Sequence, residues 1–174
     1  MKTLIQGFKL DNLLAELANA PAGDVVELGV YMGGALQSMA LAEPDRQMYG
    51  FDTFEGMPAE MWRDGEPHGI GDFRDTSFET VKASMPSNVT LVRGVFPESA
   101  AGINPKIALA HIDFDWYEST KAAIAWVLPK MAPGGVIVFD DWEWKNCPGV
   151  KQAIDEMGLP VTARHNQAIY RVPV

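Results

Sequence analysis

Five short apolar segments, separated by stretches with helical spacing, constrain the fold of this chain more than any other feature. They are rich in β-branched and aromatic residues, as strands are, and read DVVEL, MYGFD, VTLVR, IALAHIDF and GVIVF. Helical patterns occupy several of the gaps, and each is long enough to carry the chain across a sheet to a parallel neighbour. This alternation predicts an α/β fold built on a mostly parallel sheet.

Further elements are predicted near the two ends of the chain. Leucines at helical spacing predict an amphipathic helix within residues 1–22, and PVTARHNQAIYRV, residues 160–172, predicts an antiparallel hairpin at the sheet edge. The total is about seven strands, within the usual range for one sheet. A length of 174 residues predicts one domain that spans residues 1–174.

One gap, residues 53–76, does not fit the alternation. It is rich in glycine and proline, and loops of this length inside domains tend to be lids or binding loops. We therefore expect an active-site loop, with Trp62 and Phe73 as aromatic walls and His68 as a polar contact. The alternative is an ordered surface loop whose aromatic side chains fill the core.

Composition excludes several classes of partner. A formal net charge of −9 disfavours binding to nucleic acid or to an anionic membrane, because both need clustered Lys and Arg. No segment is apolar enough to span a bilayer. The single cysteine, Cys147, cannot form an internal disulfide, which suits a reducing compartment. We expect a cytoplasmic protein in which Cys147 has no role.

Polar residues and glycines follow the predicted strands, where ligands bind in open α/β sheets. They are Glu27 and Gly29 for the first segment, Asp52 for the second, Gly94 for the third, Asp113 and Asp115 for the fourth, and Asp140 and Asp141 for the fifth. Strand residues two apart point the same way, so Asp113 and Asp115 share a side if the extended conformation continues.

The two aspartate pairs predict a bound cation. If the fourth and fifth strands are neighbours, Asp113, Asp140 and Asp141 converge with Asp115 nearby. At roughly 5 Å and an effective dielectric of about 20, each like-charged pair repels by ~3 kcal/mol. Mg²⁺ would offset this repulsion and leave positions for substrate oxygen. The alternatives are protonation of one carboxyl, or helix capping by Asp115 or Asp141.

The segment VVELGVYMGG, residues 25–34, predicts a turn that holds a small ligand. Glycine lets a ligand approach the backbone, and the following helix offers free N–H groups. The dinucleotide fingerprint GxGxxG is absent, which disfavours a pyrophosphate. Asp52, at the end of the next strand, is the expected partner of ribose hydroxyls, although an aspartate can also simply end a strand before a turn.

These motifs together resemble a known family. ELGVYMGG, FDTFEGMP, GVFPES, HIDFDWYEST and GGVIVFDD, in this order, resemble the S-adenosylmethionine-dependent macrocin O-methyltransferases, which methylate sugar hydroxyls in antibiotic biosynthesis. The first motif is also similar to catechol-type metal-dependent O-methyltransferases. The resemblance implies a Rossmann-like class I methyltransferase fold, with seven strands, an antiparallel last strand and helices on both faces.

The resemblance also implies which residues would surround S-adenosylmethionine. The methionine part would contact Glu27, Gly29, Tyr31 and Gly33, and the ribose Asp52. Near the adenine would lie Phe54, Gly94 and Phe96. Asp113 is expected to contact the cofactor as well as a metal.

For the reaction itself, the resemblance implies a Mg²⁺ site and a base. The implied ligands are Asp113, Asp140 and Asp141, and Asp115 would accept the proton of the acceptor hydroxyl; the roles of Asp113 and Asp115 could be exchanged. The acceptor would be a small hydroxylated molecule, a sugar or a glycoside. Its identity stays open, because members of the family usually have a longer region before the first strand.

Two other functions fit parts of the sequence. One is a binding module that keeps the cofactor pocket without catalysis. The other is a Mg²⁺-dependent phosphohydrolase of the haloacid dehalogenase type, which also uses a D-x-D motif, but on its first strand. A homo-oligomer is possible, with Trp142 and Trp144 as candidate interface, acceptor-wall or core residues.

Overall fold

A computed structural model describes residues 3–5, 7–66 and 68–174 of the chain. The strands are β1 (Asp24–Leu28), β2 (Met48–Asp52), β3 (Val89–Arg93), β4 (Ile107–Ile112), β5 (Met131–Phe139), β6 (Thr162–Arg164) and β7 (Gln167–Arg171). They form a seven-stranded sheet in the order β3-β2-β1-β4-β5-β7-β6. The first five strands pair in parallel, and β7 is antiparallel to both of its neighbours. The predicted fold class is confirmed.

Five α-helices cover the two faces of this sheet. They are α1 (Gly7–Asn19), α2 (Gly34–Ala42), α3 (Phe78–Ser84), α4 (Tyr117–Val127) and α5 (Pro148–Glu156). Apolar residues of α1, α2 and α3 pack into one core cluster, and those of α4 and α5 pack into a second. In β1 the consecutive residues Val25 and Val26 enter different clusters, because side chains alternate across a strand. β4 is buried along its whole length and is apolar except for His111.

The structure differs from the sequence prediction around the start of β5. The helix in the gap between the fourth and fifth predicted strands ends at Val127, and a short 3₁₀ turn, Leu128–Lys130, follows. Pro129 in this turn has no amide hydrogen and cannot continue an α-helix. β5 therefore begins at Met131, before the predicted segment, and the register with β4 shifts between Ile107 and Leu109.

The carboxyl ends of β1, β4 and β5 are tied together by backbone hydrogen bonds that continue past the strands. The Asp113 amide donates to the Leu28 carbonyl at 2.8 Å, and the Asp140 amide donates to the Ile112 carbonyl at 2.9 Å. Next to them, Gly29 donates to the Phe51 carbonyl at 3.0 Å. This edge of the sheet brings the polar residues of three separate segments together.

No helix among the described residues is both long enough and apolar enough to cross a lipid bilayer.

Candidate active site

A cavity of about 320 Å³ opens at the carboxyl edge of the sheet. Its walls come from the strand ends, from the loop over residues 53–76 and from the first helix with the residues before it. This volume is in the range of sites that bind small molecules. The cavity is the candidate active site.

Three aspartates lie together on its floor. Oxygen atoms of Asp113, Asp115 and Asp141 all lie within 4.8 Å of one another. The sequence placed Asp113 and Asp115 on one side only if the extended conformation continued past the strand, and it does not continue. β4 ends at Ile112 and Asp115 has a φ of 60°, so a turn, not a strand, joins the two carboxylates.

Asp140 lies beside this group with both of its oxygens already bonded. Lys9 Nζ donates to Asp140 Oδ2 at 2.9 Å, and Gln167 Nε2 donates to Oδ1 at 3.0 Å. The same ammonium also reaches Asp141 Oδ1 at 3.1 Å. A cation of the chain itself thus bridges the acidic pair that follows β5. Asp140, one of the expected metal ligands, is outside the group of three carboxylates defined above.

The environment shifts the pKa values of these groups in opposite directions. Burial, and then the charge of Asp140, raises the pKa of Asp113 well above its ordinary value. Burial and the hydrogen bond with Asp141 raise the pKa of Asp115 in the same way. Burial acts to raise the pKa of Asp141 too, but the hydrogen bond with Asp115 and the Lys9 ammonium lower it below its ordinary value. The positive charge near these aspartates is therefore too small to keep all of their carboxyl groups ionised.

Lys9 was not predicted from the sequence. It is 7 % exposed, and it lies on α1 next to the leucines whose spacing predicts this helix. Burial acts to lower the pKa of Lys9, but Asp140 and Asp141 raise it above its ordinary value, so the side chain is charged. The signal in the sequence is weak, since a lysine that flanks an apolar stripe normally lies in solvent.

Cys147 was expected to have no role, and the structure places it in the acidic group. Its Sγ lies 3.6 Å from Asp115 Oδ1 and 3.7 Å from Asp141 Oδ2. Two successive turns after Asp141 return the chain to this point, with Trp144 donating to the Asp141 carbonyl and Cys147 to that of Trp144. His68 also reaches this place, with a ring nitrogen within 4.8 Å of both Asp115 and Cys147.

The turn after β1 is held by Asp52. Asp52 Oδ2 accepts hydrogen bonds from the amides of Val30 and Tyr31, both at 2.8 Å, and Oδ1 accepts from the Phe54 amide at 2.7 Å. A carboxylate has about four acceptor positions, so one position remains for a ligand hydroxyl. Asp52 lines the cavity, where a ribose contact is expected. Its structural role in the turn was not predicted.

Gly33, expected near the methionine part of the cofactor, is not among the described residues that line the cavity. It precedes α2 with a φ of 80°, a conformation that glycine adopts without strain. Gly29, Tyr31 and Glu27 do line the cavity, as does the amino-terminal residue of α2, Gly34.

Glu27 forms a buried pair with His111. Glu27 Oε1 lies 2.8 Å from His111 Nδ1, and His111 is completely buried. Burial alone would lower the pKa of His111, but Glu27 raises it to about 9. Glu27 Oε2 and His111 Nε2 are buried without a hydrogen-bond partner of ordinary geometry among the described residues. Glu27 also lines the cavity, where its carboxylate fits the ammonium group of a methionine moiety.

The residues expected near the adenine divide into two groups. Gly94 and Phe96 line the cavity. The Phe54 side chain lies in the core, with its ring 5.3 Å from that of Phe78, and is not among the described cavity residues. Phe54 has a φ of 55° because the chain turns sharply after Asp52, and this turn directs the ring inward. The expected adenine contact of Phe54 is not supported.

The loop over residues 53–76 closes one side of the cavity, as an active-site loop would. Its described part has one short 3₁₀ turn, Ala59–Met61, before α3. Phe73 lines the cavity, but Trp62 is 41 % exposed and lies outside the described lining. Among the tryptophans after β5, Trp142 is buried in the core and Trp144 lines the cavity.

Three hydrogen bonds hold this loop in place. Tyr31 donates its hydroxyl hydrogen to Asp75 Oδ1 at 2.7 Å, and Thr76 Oγ1 donates to the Tyr31 carbonyl at 2.6 Å. At the far side, Glu66 Oε1 accepts a hydrogen bond from the Tyr117 amide at 3.0 Å, at the start of α4. The middle and the carboxyl-terminal end of the loop are therefore bonded to elements that carry site residues.

The donor atoms fit a hard divalent cation. Asp113, Asp115 and Asp141 offer carboxylate oxygens, the ligands that Mg²⁺ prefers. The Lys9 ammonium between Asp140 and Asp141 shows that a cation is accommodated at the neighbouring pair as well. The D-x-D motif follows the fourth strand and not the first, so the phosphohydrolase interpretation is not supported.

Comparison with known proteins identifies relatives for this arrangement. Residues 8–160 match the macrocin O-methyltransferase family. The chain is 28 % identical to the 8-demethyl-8-(2,3-dimethoxy-alpha-L-rhamnosyl)-tetracenomycin-C 4'-O-methyltransferase of Streptomyces olivaceus, over 97 % of this chain and 77 % of that protein. It is 30 % identical to the demethyldecarbamoylnovobiocin O-methyltransferase of Streptomyces niveus, over 80 % of this chain, and spans 60 % of that relative's length.

Solved structures of methyltransferases share this fold. The O-methyltransferase NovP superposes with a TM-score of 0.83 at 25 % identity, covering 99 % of this chain and 82 % of NovP. The calicheamicin methyltransferase CalS11 gives a TM-score of 0.77 at 26 % identity, covering 94 % and 77 %. The resemblance seen in the motifs is confirmed. The chain belongs to the macrocin O-methyltransferase family and is an S-adenosylmethionine-dependent O-methyltransferase.

Proposed function

We propose that the protein uses Mg²⁺ to transfer the methyl group of S-adenosylmethionine to a hydroxyl group of a small sugar or glycoside. The observation that carries this proposal is the set of carboxylates of Asp113, Asp115 and Asp141 on the floor of the cavity. The names of related proteins support the sugar, since one specifies a rhamnosyl group and another TDP-rhamnose.

The cofactor would lie along the carboxyl ends of β1, β2 and β3. The carboxylate of Glu27 would accept a hydrogen bond from the methionine ammonium, and Asp52 would use its remaining acceptor position for a ribose hydroxyl. Gly94 and Phe96 would border the adenine. Methyl transfer needs the acceptor oxygen, the methyl carbon and the sulfur nearly in line, so these contacts contribute chiefly by positioning.

The metal would be held by Asp113 and Asp141, and by Asp140 once the Lys9 ammonium shifts. When bound, Mg²⁺ would act as a Lewis acid that lowers the pKa of the acceptor hydroxyl. Asp115 would accept the hydroxyl proton while the oxygen attacks the methyl carbon and the carbon–sulfur bond breaks. S-adenosylhomocysteine and the methyl ether would leave. Asp113 and Asp115 could exchange these two roles.

A thermal-shift experiment tests the proposal. Saturating S-adenosylmethionine, at about 100 times its Kd, should stabilise the protein by about 2.7 kcal/mol, and Mg²⁺ should add to this. Stabilisation by the cofactor alone, with no further effect of Mg²⁺, would contradict the metal-dependent mechanism. Release of S-adenosylhomocysteine in the presence of hydroxylated glycosides would then identify the acceptor.

A further inference from the structure

The group formed by His68, Asp115 and Cys147 has a different chemistry from the carboxylate cluster beside it. It offers one imidazole nitrogen, one carboxylate oxygen and one sulfur, all within 4.8 Å of one another. A sulfur ligand is foreign to Mg²⁺, which takes oxygen, but is favoured by Zn²⁺. We propose that His68, Asp115 and Cys147 form a binding site for a borderline-soft divalent cation, with Zn²⁺ as its occupant.

The spacing of the donor atoms supports a tetrahedral zinc. Ordinary zinc bond lengths to sulfur, nitrogen and oxygen separate neighbouring ligand atoms by roughly 3.5 Å. Cys147 Sγ and Asp115 Oδ1 already lie 3.6 Å apart. His68 has a ring nitrogen within 4.8 Å of donor atoms of both residues, and it lies on the loop over residues 53–76, so a small shift of this loop would bring the imidazole to bonding distance. Three protein ligands leave a fourth position for water or for Asp141, whose Oδ2 is 3.7 Å from the same sulfur.

The surroundings of the three residues also suit a metal. Asp72 Oδ2 lies 3.8 Å from His68 Nδ1, which places a carboxylate beside the imidazole, as metal-bound histidines usually have. Nε2 is then the ligand atom. Cys147 is buried against two carboxylates, so burial and their charges raise the pKa of its thiol. A dication reverses that electrostatic environment, and the thiol proton leaves to solvent as the metal–sulfur bond forms.

The effect on catalysis rests on the proposed function. Asp115 belongs both to this site and to the carboxylate cluster, where it is the proposed base. A zinc ion that holds Asp115 would remove the proposed proton acceptor of the reaction. Zn²⁺ therefore inhibits methyl transfer, whereas the binding of Zn²⁺ itself does not depend on the assigned reaction.

Cobalt(II) reports on this site without an activity assay. Co²⁺ takes the place of Zn²⁺, and a cobalt–thiolate bond gives a charge-transfer band in the near ultraviolet. Cys147 is the only cysteine in the sequence, so such a band can come from this residue alone. Titration of the full chain with Co²⁺ should produce the band. Zn²⁺ should remove it at stoichiometric concentration, and Mg²⁺ only at far higher concentration.

Variants separate the ligands from their surroundings. Cys147→Ser should abolish the band, and His68→Gln should weaken Co²⁺ binding by at least about tenfold. His165→Gln, which changes an exposed histidine on the turn between β6 and β7, should bind Co²⁺ like the parent. Circular dichroism checks that each variant folds. If Cys147→Ser does not fold, the Co²⁺ affinity of His68→Gln tests the site instead.

Three results would overturn the inference: no charge-transfer band with the parent protein, unchanged Co²⁺ affinity in His68→Gln, or displacement of Co²⁺ by Mg²⁺ as easily as by Zn²⁺. These results are independent of the proposed function. A missing cobalt band together with Mg²⁺-dependent stabilisation of the cofactor complex would reject this site and keep the methyl-transfer proposal. A cobalt band without that stabilisation would keep this site and reject the Mg²⁺-dependent methyl-transfer proposal.

Discussion

At the scale of single residues, Gly29 shows how tightly the site is built. A Cβ atom at this position would lie 2.0 Å from the Asp113 carbonyl oxygen, and the φ of 94° is itself unfavourable for other residues. The pattern ELG predicts a turn there. The need for glycine to let β1 meet the end of β4 is visible only in the structure.

Gly29→Ala should therefore destabilise the protein by more than about 4 kcal/mol, because the backbone of β1 or β4 must move. Gly102→Ala is the matched control. Its φ is 79°, but no atom lies within 4 Å of the added Cβ, so its cost should be about 1 kcal/mol. Urea denaturation measures both. Equal losses in the two variants would show that conformation alone, and not the contact with Asp113, matters at position 29.

Asp141 is the residue on which the proposed metal chemistry depends most directly. Asp141→Asn should abolish Mg²⁺-dependent methyl transfer and keep the Kd for S-adenosylmethionine within about tenfold, since the cofactor contacts lie on β1 to β3. Asp155→Asn, on the exposed surface of α5, is the control and should behave like the parent. Activity of Asp141→Asn in the presence of a chelator would contradict the metal-dependent mechanism.

The Glu27–His111 pair gives a pH dependence with a definite sign. The pKa of His111 is raised from 6.5 to about 9, so its stabilising contribution is complete below about pH 6.5 and is lost as the pH rises through 9. In chelator, the melting temperature should fall between pH 7 and pH 10, and less steeply in Glu27→Gln. If the ring nitrogens of His111, assigned by nitrogen NMR, titrate near pH 6.5, Glu27 does not stabilise the protonated form of His111.

At the scale of elements, α1 is more than the amphipathic helix that its leucines predict. Leu13 and Leu17 pack into the core, as expected. Beside them Lys9, Asn12 and Glu16 are also buried. Asn12 Nδ2 donates to Gln167 Oε1 at 2.7 Å, and Glu16 pairs with Arg171. Helical periodicity finds the apolar stripe, but it cannot identify partners that lie more than 150 residues away.

Lys9→Met should test the coupling between α1 and the acidic pair. Removal of the ammonium leaves Asp140 and Asp141 without their counter-charge, so the metal-free protein should lose about 3 kcal/mol. Saturating Mg²⁺ should restore part of this loss. Lys145→Met, at an exposed lysine, should change stability by less than about 0.5 kcal/mol. A similar loss in both variants, or no recovery with Mg²⁺, would contradict the role of Lys9.

At the scale of the whole molecule, the loop over residues 53–76 joins elements from both faces of the sheet. It contacts the turn after β1 through Tyr31 and the start of α4 through Tyr117. Its length and composition predict a binding loop, and Phe73 and His68 do line the cavity. The hydrogen bonds that hold it depend on the fold, because their partners lie on distant segments.

Asp75→Asn should loosen this loop without unfolding the protein. The Tyr31 hydroxyl loses a charged acceptor, so amide hydrogen exchange over residues 53–76 should become faster, and the KM for S-adenosylmethionine should rise several-fold. Asp64→Asn, an exposed aspartate of the same loop, is the control. Equal exchange in the two variants would mean that the Tyr31–Asp75 bond does not restrain the loop.

The alternation of strands and helices, the position of the ligand edge and the family follow from the amino-acid sequence. These features arise from local periodicity and from short motifs, which can be recognised without information on tertiary contacts. Only the folded chain shows that Lys9 bridges Asp140 and Asp141, that Cys147 and His68 meet at Asp115, and that Phe54 turns into the core. Each depends on contacts between remote segments, because packing and burial, not spacing along the chain, set the charge and the direction of a side chain.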